Sequence, residues 1–143
     1  MNRIRKTGVA AMLAFALTGM LVATSWAATF ALGSSSQIPA AEGTARLRNT
    51  QNGNIELKLR VKHLAQPGRI SPGAQVFVVW ARGLEPGAEA QNLGALQVDK
   101  KLNGKLTAVT AMASFDLFIT CEMSQTVTAP TTDPLLPLHY IKS

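Results

Sequence analysis

The chain has 143 residues, 47% of them hydrophobic and 15% charged, with a formal charge of +6; this length holds one domain of ordinary size around one core. Arg3, Arg5 and Lys6 sit at the extreme N-terminus, so eleven of the fourteen Lys and Arg remain against eight Asp and Glu, a mildly basic surplus of three. Arg46, Arg48, Lys58, Arg60 and Lys62 alternate with apolar residues like the wet side of a sheet, without the clustered patch and exposed aromatics of a nucleic-acid binder, so no nucleic acid is expected as a partner.

The first segment pairs that basic start with a run from Thr7 to Ala41 that holds no charged residue. It reads as an export signal: Val9 to Ala23 has the length of an apolar signal core, and Ser25-Trp26-Ala27 places small residues where a signal peptidase inspects them. Cleavage before Ala28 assigns residues 1–27 to the signal peptide and residues 28–43, with the polar stretch Gly33 to Gln37, to a tether. The competing reading is an uncleaved anchor reaching to about Leu32. Both place the domain over residues 44–143 outside the cytoplasm, periplasmic or extracellular, with membrane contact only if the segment is retained.

From Thr44 the pattern is that of strands. Thr44 to Asn49 and Ile55 to Leu64 flank a turn, and Ile55, Leu57, Leu59 and Val61 alternate with Glu56, Lys58, Arg60 and Lys62. A three-residue loop of Gln51, Asn52 and Gly53 sets Leu47 opposite Leu57 and Arg48 opposite Glu56, which keeps one face apolar. Gln75 to Ala81, QVFVVWA, carries no charge and is too short for a buried helix; it reads as the buried central strand, with Val76, Val78 and Trp80 in the core and Trp80 as its plug. Leu93 to Lys101 and Lys105 to Thr110 flank Asn103-Gly104, and a two-residue turn there pairs Val98 with Val109 and Leu96 with Ala111. Phe115 to Glu122 puts Phe115, Leu117, Ile119 and Cys121 on one face, and Phe118 on the other hints at cover from a loop. Leu135 to Lys142 reads as an edge strand, since Pro137 cannot donate to a central ladder. The expected fold is all-β, an immunoglobulin-like sandwich of about seven short antiparallel strands.

Chemistry-bearing constellations are scarce. Cys121 is the single cysteine, so no internal disulfide forms, and its inward position suits a small buried hydrophobe. His63 and His139 lack the companions of a metal site. The chain holds no G-x-S-x-G elbow, no H-E-x-x-H, no phosphate loop and no dinucleotide fingerprint. No catalytic residue, metal or cofactor is expected, and the chain is read as a non-enzyme. The proline and glycine connectors Gln66 to Gly73 and Gly83 to Gly94 present Arg69, Arg82, Glu85 and Glu89 as the candidate contact surface.

Three stretches resemble the extracytoplasmic domain of anti-sigma-K type factors. They are Val76 to Trp80 (VFVVW), Leu93-Gly94-Ala95-Leu96 leading into Asn103-Gly104, and Phe115 to Glu122 followed by Ala129-Pro130-Thr131 and Pro134-Leu135-Leu136. The resemblance spans about Val76 to Leu136 and implies a β-sandwich, with Thr132-Asp133 standing where the family carries a glycine. That family grips a sigma factor with a cytoplasmic domain, and here only Met1 to Lys6 precede the apolar segment, so no sigma-factor contact is expected. The resulting expectation is a stand-alone interaction or sensory module that contacts another envelope protein or a small ligand. The alternative is a structural or adhesive surface component that assembles through strand edges.

Overall fold

The structure is a computed structural model and describes residues 27–143. The expected signal or anchor lies outside the described residues, apart from its last positions. The expected tether is corrected: strand β1 (Ala27–Ala31) pairs antiparallel with β2 (Glu42–Asn49), Phe30 opposite Ala45. Small uncharged residues carry no alternation signal. Phe30 instead packs against the core edge beside Tyr140, their ring centroids 5.5 Å apart. Ile38 and Ala41 are buried as well, and the Gly33 N–H donates to the Pro137 carbonyl at 2.7 Å, so the polar stretch is a loop folded onto the domain.

Strand β3 (Ile55–Lys62) pairs with β2 in the expected register, Leu47 opposite Leu57 and Arg48 opposite Glu56. The loop of Gln51, Asn52 and Gly53 closes with the Thr50 N–H on the Asn54 carbonyl, and Gly53 takes φ +80°, a conformation that disfavours a side chain. A single-turn helix, α1 (Pro67–Ile70), lies in the connector to β4 (Val76–Gly83). β4 is central to its sheet, between β5 (Ala90–Ala95) and β8 (Phe115–Glu122). The final strand β9 (Leu135–Tyr140) is an edge strand, as Pro137 requires.

The second hairpin differs from expectation. After β5 the chain changes sheets through buried Leu96 and forms β6 (Gln97–Val98), which pairs with β7 (Gly104–Thr110) so that Val98 faces Gly104, not Val109. Lys100, Lys101 and Leu102 make the loop, Leu102 sits at φ +62°, and Asp99 accepts the N–H groups of Lys101 and Asn103 at 2.9 Å each. The Asn103 and Lys101 amides hold the Asp99 carboxyl below its ordinary range. Gly104 is small for a packing reason: a Cβ there would lie 3.1 Å from methyls of both Leu64 and Leu96.

Two antiparallel sheets result, ordered β1-β2-β3-β7-β6 and β5-β4-β8-β9, and they pack into a β-sandwich with nine strands among the described residues. Ala45, Leu47, Ile55, Leu57, Leu59 and Val61 meet Phe77, Val79, Ala81, Phe115, Leu117, Ile119 and Cys121 between the sheets. Trp80 is fully buried but does not plug this core. With Val78 and Phe118 it forms a second cluster on the outer face of the four-stranded sheet, to which Val76 and Val127 add. In an uninterrupted apolar run the two faces look alike; the indole N–H requires an acceptor that the inter-sheet core does not offer.

Candidate functional site

Arg69 and the other three candidate contact residues sit toward opposite ends of β4. Arg69 lies on α1, beyond the start of β4, where it lines an open groove of about 620 Å³ with Gln37, Ile70 and the stretch Thr131 to Asp133. Glu85 and Glu89 lie in the loop that follows β4, at the other end of a strand roughly 23 Å long. Both carboxylates are exposed, and neither forms an ion pair among the described residues. Arg82, the penultimate residue of β4, places its guanidinium carbon 5.3 Å from the centre of the Phe118 ring, a cation–π contact.

A second arrangement was invisible in the sequence. Glu122, at an alternate position on the same face as Phe118, is 1% exposed and has no cationic partner among the described residues. Its Oε1 accepts the Thr120 hydroxyl at 2.6 Å and the Thr131 amide at 2.9 Å, and its Oε2 accepts the Thr131 hydroxyl. The Thr120 hydroxyl in turn accepts the Trp80 indole N–H at 2.8 Å. Thr132 binds both the amide and the carbonyl of Cys121, at 3.1 and 3.0 Å. Asn92 on β5 donates to the carbonyls of Gln125 and Val127 at 2.9 and 2.8 Å. The segment between β8 and β9 is thereby drawn across the outer face of the sheet, where Val127 covers Trp80. Each of these donors meets an acceptor, so the network fastens the segment onto the sheet.

The remaining candidates are dispersed. His63 is exposed at φ +58°, and His139 Nδ1 lies 2.6 Å from Asp116 Oδ1 at the surface. Among the described residues no three His, Cys, Asp or Glu converge as a metal would need. Burial pushes the Cys121 thiol up to about 11, with the neighbouring Glu122 charge adding to the effect, which opposes thiolate chemistry.

The outer face of the five-stranded sheet is different in kind. Register puts Lys58 opposite Arg46 and Thr107, and Arg60 opposite Thr44 and Lys105, with Gln97 beyond. Arg48 pairs with Glu56 at 2.8 Å, and Lys62 stands opposite Glu42. Arg46, Lys58, Arg60 and Lys105 are exposed and have neither an ion pair nor a side-chain hydrogen bond among the described residues. With Arg48 and Lys62 the face holds six cations against Glu42 and Glu56, a surplus of four. The sequence past the N-terminal cations has a surplus of three, so everything else in the domain is net −1. Like charges directly opposite across a ladder are unfavourable, and this face places two such pairs side by side. The alternation that reads as an ordinary wet strand on β3 alone becomes a basic patch once β2 and β7 are laid beside it. Comparison with family models, curated proteins and solved structures gives no match.

Proposed function

We propose that the protein is an exported, non-catalytic interaction module of the bacterial envelope, which engages an anionic partner through the outer face of its five-stranded sheet. The unpaired cation array carries the reading: four Lys and Arg side chains in two like-charge pairs gain nothing from one another, whereas an anion laid across them relieves the repulsion. We read the strand order as immunoglobulin-like, with β2-β3-β7-β6 facing β5-β4-β8-β9 and β1 added at one edge. The architecture is in keeping with the resemblance to the extracytoplasmic domain of anti-sigma-K type factors, and sigma-factor contact has no place in the proposal. Non-catalytic action is supported by the closed network around Glu122 and the raised Cys121 thiol, which leave the described residues without an activated nucleophile.

The test compares capture of residues 27–143, which hold the buried residues among those described, by isolated bacterial envelopes. Charge reversal at Lys58 and Arg60 abolishes capture, whereas reversal at Arg69 and Glu89 leaves it unchanged. Loss in the second variant alone contradicts the assignment, and turnover of a generic ester, peptide or glycoside by purified protein contradicts the non-catalytic reading. One observation favours the alternative of edge assembly. β1 is a sheet edge whose sequence, AATFA, has neither charge nor proline to block pairing with another chain. That reading requires a concentration-dependent oligomer in sedimentation which Thr29→Lys disperses.

A further inference from the structure

The anionic partner can be narrowed, on the premise that the proposed cationic face is the binding surface. Its charges spread in two dimensions: Arg46 on β2, Lys58 and Arg60 on β3 and Lys105 on β7 occupy three adjacent strands. Neighbouring strands lie about 4.8 Å apart and alternate residues about 7 Å apart along a strand, so the cations tile an area and do not follow a line. A linear polyanion matches a row of charges; a tiled area matches a surface. The positions between the cations are Thr44, Thr107 and Gln97, with no aromatic ring on which a nucleic-acid base could stack.

The sheet is also placed by the chain that enters it. The apolar stretch Val9 to Ala23 is followed by only Thr24, Ser25 and Trp26 before β1 begins at Ala27. β1 lies beside the cations, Ala27 opposite Arg48 and Thr29 opposite Arg46. Three extended residues span about 10 Å, close to the screening length of ~8 Å at physiological salt. Retained as an anchor and not cleaved before Ala28, the apolar stretch holds the edge of the cationic sheet at headgroup level.

We propose that the outer face of the five-stranded sheet lies on an anionic lipid surface, where Arg46, Lys58, Arg60 and Lys105 pair with headgroup phosphates. The domain then rests sheet-down, and the loop segment over Trp80 on the opposite face points away from the membrane. The full chain is reconstituted in nanodiscs of phosphatidylcholine alone or of phosphatidylcholine with phosphatidylglycerol, and acetylation of each lysine is followed by mass spectrometry. Lys58 and Lys105 are expected to react about fivefold or more slowly in the anionic discs, the scale of one surface cation near such lipids, while Lys142 reacts equally in both. The double variant Arg46→Gln, Arg60→Gln is expected to lose this protection. Equal rates for Lys58 and Lys105 in the two bilayers overturn the inference. If heparin or an oligonucleotide then protects these lysines in neutral discs, the cationic face remains a binding surface with a polymeric partner. If neither lipid nor polymer protects them and charge reversal leaves envelope capture intact, both readings fail.

Discussion

The Trp80 indole N–H reaches the Thr120 hydroxyl, which donates in turn to Glu122, so this large side chain is fixed by a polar chain as well as by burial. Trp80→Ala removes a fully buried aromatic and is expected to cost about 3–5 kcal/mol in denaturant unfolding; an unchanged midpoint contradicts the packing. Glu122 separates shape from charge. Glu122→Gln keeps an oxygen for Thr120 and the Thr131 amide and should cost under about 1 kcal/mol, whereas Glu122→Leu strands these two donors and the Thr131 hydroxyl and should cost about 2–4 kcal/mol. Equal losses in the two variants argue against the network. Cys121 contributes a pH signature. Its thiol is pushed above the ordinary 9.0 to about 11 in the fold, so the unfolded chain releases its proton first. The corresponding stability is full below pH 9 and is lost as pH rises toward 11, roughly 2–3 kcal/mol in all. The wild-type protein should therefore lose stability more steeply over that window than Cys121→Ala, and parallel curves would refute the buried thiol.

At the level of elements, strands with strict alternation were legible and the segments between them were not. The β2–β3 register followed from keeping Leu47 and Leu57 on one face, and Pro137 correctly marked β9 as an edge. β1 escaped notice because AATFA, with three alanines and one threonine beside Phe30, is too small and uncharged to set a period, and the tether proved to be folded onto the core through Ile38 and Ala41. Asn103-Gly104 resembles a tight turn, but Gly104 is fixed by the proximity of Leu64 and Leu96, and Asp99 builds a longer loop. Phe118 on a polar face did signal a covering loop, though nothing in the sequence links that loop to Asn92. Asn92→Ala removes two hydrogen bonds from the cover and is expected to cost about 1–2 kcal/mol. The variant's amides from 123 to 129 should exchange faster in hydrogen-exchange mass spectrometry while β3 and β8 stay protected. Exchange that rises evenly over the domain would mean that Asn92 supports the whole fold and not this cover.

Across the whole molecule, the single-strand pattern concealed the main electrostatic feature, because a face is a property of strands that sequence separates by up to about 60 residues. Arg46, Lys58 and Lys105 become neighbours only through the ladder β2-β3-β7. Of the four contact residues named from loops, Arg69 stands at one end of β4 and Glu85 and Glu89 at the other. The array predicts a trade between stability and binding: Lys58→Glu sets a carboxylate opposite Arg46 and should stabilise the domain by about 0.2–1 kcal/mol, a rise of a few degrees in Tm, while reducing envelope capture. A lower Tm would show that the cations do not repel one another in the fold.

The salt dependence of envelope capture by residues 27–143 tests the cationic-face account most directly. The screening length falls from about 30 Å at 0.01 M to about 3 Å at 1 M ionic strength. Capture of the wild-type protein should fall by tenfold or more, roughly, across that range. The variant with Arg46, Lys58, Arg60 and Lys105 changed to Gln should start near the high-salt level and stay there. Wild-type capture that is indifferent to salt, or a quadruple variant that still follows the wild-type curve, would contradict the cationic face as the site of function.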